Sequence, residues 1–131
     1  MQTELLETCD AVLMGRRTYE SFAAVWPTRS GDPISDRINA MRKLVFSNSL
    51  DAVEWSNAEL VRGDAVEHVE AMSGELVVYG YTRLARSLLA AGLVDELDFA
   101  IHPLILGLRK PLQLVSAEPR SNGVVSIKVR P

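Results

Sequence analysis

Apolar and polar positions along this chain change period repeatedly, and each change marks an element. The short apolar runs Ala11-Val12-Leu13-Met14, Lys43-Leu44-Val45-Phe46-Ser47 and Leu76-Val77-Val78-Tyr79 read as buried strands, and Ala58-Glu59-Leu60-Val61 as a weaker fourth. Helical spacing separates them. Leu5 and Leu6 point inward from a short helix over residues 3–9. Tyr19, Phe22 and Ala23 share one face of a helix over residues 16–25, which Trp26-Pro27 stops. After a polar loop over residues 28–33, Ile34, Ile38 and Met41 define a helix over residues 34–41.

The second half continues this alternation before changing character. Asp64-Ala65-Val66-Glu67 has the form of a capping box and starts a helix that ends by Gly74. Residues 82–91 carry Leu84, Ala85, Leu88 and Leu89 on one face, with Gly92 placed for a left-handed stop. Residues 97–105 read as a long strand. Two more, near residues 112–117 and 124–129, flank the turn Ser121-Asn122-Gly123. Strands alternating with helices, closed by an antiparallel pair, predict an α/β domain with a mostly parallel central sheet and an antiparallel C-terminal edge.

Composition narrows the class. A chain of 131 residues is expected to form one domain spanning residues 1–131, with 47% hydrophobic and 24% charged residues, as in ordinary globular proteins. A net charge of −3 gives no reason to expect nucleic acid or an anionic membrane as a partner. The single cysteine, Cys9, allows no internal disulfide and fits a reducing compartment. No apolar run reaches the length of a membrane span, and Met1-Gln2-Thr3-Glu4 lacks the basic start of a signal peptide, so a cytoplasmic location is expected.

Two corners carry candidate chemistry. The first strand ends in Gly15 and opens a helix with Arg16, Arg17 and Thr18. Glycine there lets a ligand approach the backbone, the free N–H groups sit at the positive end of the helix, and the arginines add forked donors for a pyrophosphate or a 2′-phosphate. The plain alternative is a strand–helix corner with two solvated arginines. The second corner, Val77-Val78-Tyr79-Gly80-Tyr81-Thr82, repeats the strand–glycine–helix order, and two such corners in one small domain point to a dinucleotide. Ser47 and Asn48 end the strand between them, either as small polar groups beside a ribose or phosphate or as a simple polar turn.

Other chemistry is sparse. His68 fits a solvated helix face, His102 a structural place within a strand, and Cys9 a packed thiol. Asp95 and Glu96 have no second acid at a telling spacing. No His, Cys and carboxylate cluster has the spacing of a metal site.

The run Gly15-Arg16-Arg17-Thr18-Tyr19-Glu20, then Trp26-Pro27 and Lys43-Leu44-Val45-Phe46-Ser47, resembles the dihydrofolate reductase-like superfamily. More closely, it is similar to the reductase domain at the C-terminus of the bifunctional riboflavin-biosynthesis deaminase-reductase. The runs Gly92-Leu93-Val94-Asp95-Glu96-Leu97 and Pro103-Leu104-Ile105-Leu106-Gly107 match that family's second half. The resemblance implies a three-layer α/β sandwich and a cytoplasmic oxidoreductase. Such an enzyme takes hydride from NADPH and passes it to a small heterocycle, a pteridine or aminopyrimidine. It implies that Gly15, Arg16, Arg17 and Thr18 hold the pyrophosphate and 2′-phosphate, that Ser47 and Asn48 lie by the adenosine 2′-phosphate, and that Gly80, Tyr81 and Thr82 lie by the pyrophosphate and nicotinamide.

The chain departs from the family pattern in four places. The family begins with a strand and a Ser-Leu-Asp-Gly-like loop well upstream of the Gly-Arg-Arg-Thr run, whereas 14 residues precede Gly15 here. A strand missing from a sheet leaves backbone groups for a partner to pair, so a homodimer is expected; the alternative is that the sequence starts at an internal methionine, with the family's first strand lying before Met1. Tyr81 stands where a small residue follows the second glycine, and Asn48 stands where an arginine usually follows Ser47. Leu108-Arg109-Lys110-Pro111 runs almost directly into the next strand, where the family has a longer loop. These departures leave a second expectation open: a non-catalytic relative that binds nucleotide weakly or acts as a dimeric interaction module.

Overall fold

The computed structural model describes residues 2–107 and 109–131. Met1, at the predicted start, and Leu108, in the shortened run after Gly107, lie outside them. The chain divides into two compact units, Met1–Asp95 and Glu96–Pro131.

In the first unit, helix α1 (Gln2–Thr8) leads into strand β1 (Ala11–Gly15), then α2 (Arg16–Ala23), a single 3-10 turn (Trp26–Thr28) and α3 (Pro33–Ala40). Strands β2 (Arg42–Phe46) and β3 (Ala58–Val61), helix α4 (Ala65–Glu70), strand β4 (Leu76–Val78) and helix α5 (Arg83–Ala90) complete it. All four strands are parallel in the order β3-β2-β1-β4. The register sets Gly15 beside Phe46, Phe46 beside Val61, and Leu13 beside Val78.

Side-chain alternation along β1 assigns the two faces of this sheet. Val12 and Met14 join Leu6, Tyr19, Ile38, Val45 and Trp55 under α1, α2 and α3. Leu13 and Leu44 join Leu84 and Leu88 of α5 on the other face, with Val66 and Val69 of α4 packed against them. Helices on both faces make the strands nearly continuous in apolar residues, with burial running unbroken from Ala11 to Met14. The unit is thus the expected three-layer α/β arrangement.

One buried position breaks the apolar pattern. Lys43, 0% exposed, donates from Nζ to the carbonyls of Ile38 (2.8 Å), Asn39 (3.0 Å) and Met41 (2.7 Å), and lies 4.5 Å from the centre of the Trp55 ring. The ammonium closes the carbonyl end of α3, where the helix dipole is negative, and the indole face supplies a fourth favourable contact. Burial lowers its pKa from 10.5 to about 8.

The second unit holds strands β5 (Gln113–Pro119) and β6 (Val125–Arg130), paired antiparallel in their own two-stranded sheet. Cross-strand partners give it two chemical faces: Leu114 with Val129, Ala117 with Ile127 and Pro119 with Val125 on one, Gln113 with Arg130 and Ser116 with Lys128 on the other. The expected strand over residues 97–105 does not form. Leu97, Phe99 and Ile101 do alternate, but alternation yields a strand only when a neighbour pairs its backbone, and residues 97–105 carry no ladder partner. Instead the Leu104 N–H turns back to the His102 carbonyl.

Two helices end sooner than their patterns predict. Helix α2 stops at Ala23 because the chain then enters the 3-10 turn with Pro27 inside it. Helix α4 stops at Glu70, four residues before the left-handed Gly74.

Candidate functional site

Parallel strands all present their carboxyl ends at one edge of the sheet, and every predicted site residue except those within helices lies there. Along that edge stand Arg62 and Gly63 after β3, Ser47 and Asn48 after β2, Gly15 ending β1, and Gly80 and Tyr81 after β4. The strand order reverses between β1 and β4. From β1 the chain moves outward to β2 and β3, then returns to the other side of β1 for β4. Ligands of open α/β sheets gather at such a reversal, outside the carboxyl ends. Gly15 and Gly80 flank it, and continuing the β1–β4 register two residues beyond Leu13 and Val78 sets them opposite one another.

The two helices that start at this reversal differ from their neighbours. Asp32 caps α3 by accepting from the Ser35 N–H, and Asp64 caps α4 by accepting from Val66 and Glu67. Gly15 before α2 and Thr82 before α5 make no side-chain cap. The first-turn N–H groups of α2 and α5 are therefore left to solvent or an anion, at the positive ends of both helix dipoles.

Gly15 itself has ordinary extended geometry, φ −84 and ψ 178, and a Cβ built there meets no heavy atom within 4 Å. Neither backbone strain nor packing requires glycine at this position, so the open space above it is what glycine preserves. Gly80 is the reverse case: its φ of 79 lies in the left-handed region. Arg16 and Arg17 are exposed, and neither forms an ion pair among the described residues. Thr18 is half-buried, and Tyr81 projects with 73% of its surface exposed. These features fit a dinucleotide pyrophosphate at the Gly15 and Gly80 corners.

Ser47 and Asn48 are knitted into the loop between β2 and β3. The Ser47 hydroxyl accepts from the N–H groups of Ser49 (3.2 Å) and Leu50 (3.1 Å) and sits 3.3 Å from the Ser49 hydroxyl. Asn48 Oδ1 accepts from the Gly63 N–H at 2.9 Å, and Arg62 Nη2 donates to the Leu50 carbonyl. Arg62 was not singled out by pattern. The signal available was a third strand ending in a basic residue and a glycine, Val61-Arg62-Gly63.

The remaining candidates lie elsewhere. His68 on α4 packs edge-on against Phe46 with ring centres 5.7 Å apart. Cys9 is buried, and burial with the nearby Glu75 charge raises its thiol pKa, which keeps it protonated and unreactive. His102 belongs to the second unit. Among the described residues no cluster of His, Cys, Asp and Glu is arranged to hold a metal, and no helix is long and apolar enough to cross a membrane. A depression of the first unit, lined by Arg29, Asp36, Asn39 and Trp55, lies at the amino ends of β2 and β3. That is the opposite edge from both glycine corners. It is open, and its Asn39 side chain is consumed by Trp26, Arg29 and Trp55.

Comparison with known proteins agrees with this geometry. A family model described as RibD C-terminal domain matches residues 1–129. The chain is also 26% identical over 144 aligned positions to the Bacillus subtilis (strain 168) protein described as "Uncharacterized protein YyaP". That alignment covers 95% of this chain and 76% of the relative.

Proposed function

The chain belongs to the RibD C-terminal domain family, and on that footing we propose that it is an NADPH-dependent reductase of a small heterocycle of the pteridine or aminopyrimidine class. The carrying observation is the pair of uncapped glycine corners facing each other where the strand order reverses. Amides of Arg16, Arg17 and Thr18 receive the pyrophosphate over the open space at Gly15, and Arg16 and Arg17 neutralise its charge. Gly80 gives the backbone conformation that turns the chain into α5, and Tyr81 and Thr82 border the nicotinamide side. NADPH, when bound, supplies the hydride; the protein orients it and shields the reacting rings from water.

The test is calorimetric titration of the purified chain with NADPH and NADH, with Arg17→Ala as the paired control. Binding that favours NADPH and weakens in Arg17→Ala supports the reading and directs a substrate screen toward pterins and aminouracils. Absence of binding of either nucleotide at millimolar concentration rejects it.

A second reading, a non-catalytic interaction module, has its own support. The face of the β5–β6 hairpin carrying Leu114, Ala117, Val125 and Ile127 is exposed, and a two-stranded sheet with a bare apolar face is marginal in water. A homodimer that buries this face would account for it. Sedimentation of wild type against Ile127→Lys separates the cases: a dimer lost in the variant favours the module, a monomer in both does not.

A further inference from the structure

Helix α2 opens without a side-chain cap, yet its first turn is formed. Asp32 and Asp64 fasten α3 and α4 by giving a carboxylate to first-turn N–H groups. Gly15 offers α2 no side chain, and a helix of 8 residues is marginal by itself in water. Tyr19 supplies the missing hold. It is the buried residue of α2, with 8% of its surface exposed, and its hydroxyl accepts from the Glu54 N–H at 2.9 Å. Among the described residues that is the one hydrogen bond made by a side chain of α2. Glu54 lies in the connection between β2 and β3, next to Trp55, whose indole N–H donates to Asn39 Oδ1 at 2.8 Å. The donor to Tyr19 therefore sits on a segment that is itself tied to α3.

The place of Tyr19 within the helix gives this contact its meaning. With Gly15 at the N-cap, Tyr19 is the fourth helical residue and the first whose N–H bonds back inside the helix, to the Gly15 carbonyl. Gly15 is held at the other end by the strand ladder, beside Phe46. Arg16, Arg17 and Thr18 thus span two fixed points while their own N–H groups stay open. A carboxylate cap before α2 would occupy these donors and repel an anion. Anchoring the turn from its fourth residue stabilises it and leaves every donor free.

We propose that the Tyr19 hydroxyl is a positioning group for the Gly15 corner: it holds the first turn of α2 in helical form before a ligand arrives, so that the amides of Arg16, Arg17 and Thr18 receive an anion already ordered. Without the hydroxyl the turn frays, and part of the binding free energy goes into re-forming it. The assignment rests on the nucleotide-binding reading above and adds a residue that acts through the backbone without touching the ligand.

Tyr19→Phe removes the hydroxyl and keeps the buried ring. Wild type and variant are titrated with NADPH and, separately, with inorganic pyrophosphate, and amide exchange of both unliganded proteins is followed. Affinity for either probe is expected to fall roughly two- to tenfold, the net worth of one hydrogen bond. Exchange should quicken at the Tyr19 and Glu20 amides, which close the first turn, while β1 and α3 keep their protection. A folded variant that binds NADPH as tightly as wild type overturns the assignment and leaves the nucleotide site intact. Exchange that quickens evenly through β1 and α3 marks a merely structural role and overturns it too. The predicted loss with pyrophosphate, in a protein that binds no NADPH, rejects the nucleotide reading alone. Wild type that binds neither probe overturns both.

Discussion

Asp10 and Glu75 grip each other through two hydrogen bonds: the Asp10 N–H donates to the Glu75 carbonyl at 2.7 Å, and the Glu75 N–H donates to Asp10 Oδ2 at 2.8 Å. This clasp sits one residue before the first ladder pair, Ala11 with Leu76, and so fixes β4 beside β1. The reversal in strand order, with a glycine corner on either side, depends on that placement. A Cβ at Gly74 would collide with the Asp10 carboxylate, and Gly74 also has a φ of 99.

Asp10→Ala is expected to destabilise the fold by about 0.5–1.5 kcal/mol, the net loss of one exposed hydrogen bond at a strand start. Gly74→Ala should cost at least as much, since it strains the backbone and displaces the same carboxylate. Urea unfolding of the two variants and the double variant checks this. The double variant should fall short of the sum of the two, because both act on one clasp.

Gly15→Ala and Gly80→Ala should behave oppositely. With ordinary φ and no neighbour within 4 Å of its Cβ, Gly15→Ala should leave the melting temperature unchanged or slightly raised. Its NADPH affinity should still fall, because the methyl group occupies the space a phosphate needs. Gly80→Ala should lose about 1–2 kcal/mol of stability from its φ of 79 alone. Thermal melts set beside nucleotide titrations separate a glycine kept for the ligand from one kept for the fold.

Lys43 imposes a pH dependence of definite sign. Its pKa falls from 10.5 in the unfolded chain to about 8 when buried. Between those values the unfolded state holds the extra proton, so the contribution of Lys43 to stability rises as pH climbs from about 8 to 10.5. Lys43→Met removes the titration and leaves the carbonyls of Ile38, Asn39 and Met41 without their donor. The stability gap between wild type and Lys43→Met, measured by urea unfolding, should therefore widen from pH 7 to pH 10.

Arg37 ties two helices together, donating from Nε to the Leu6 carbonyl at 2.9 Å and from Nη2 to the Cys9 carbonyl at 3.1 Å. Helix α1, with 7 residues, is too short to persist alone. Arg37→Lys keeps the charge but loses the fork, so amide exchange should quicken through α1 while β2 and β3 keep their protection. Hydrogen–deuterium exchange of the two proteins reads this directly.

The sequence made the local parts of this fold plain and left the long-range parts hidden. Strand β3 falls where its pattern predicts, and β1 and β2 do so within a residue at each end, because short apolar runs bounded by polar turns have few alternatives. The Asp64 cap was visible, although only its aspartate half forms hydrogen bonds. The Asp32 cap, with Pro33 in the first turn, falls within a stretch whose polarity predicts only a loop. Lys43 belongs to a run that predicts a buried strand, but its acceptors come from the end of α3, which only the folded chain brings to it. The same holds for the site. Both glycine corners could be read from adjacent residues, but their meeting depends on β4 returning beside β1. The pairing of Asn48 with Gly63 likewise depends on register across β2 and β3. Residues 97–105 show the limit: an alternating pattern states a readiness to pair and does not supply the partner.

The central claim is that the edge between β1 and β4 receives a dinucleotide, and amide chemical-shift mapping by NMR on addition of NADPH tests it most directly. The largest shifts should fall on Arg16, Arg17 and Thr18 at one corner and on Tyr81 and Thr82 at the other. Saturating NADPH that leaves these amides unmoved, or moves only those around Arg29 and Trp55 at the opposite edge, would contradict the claim.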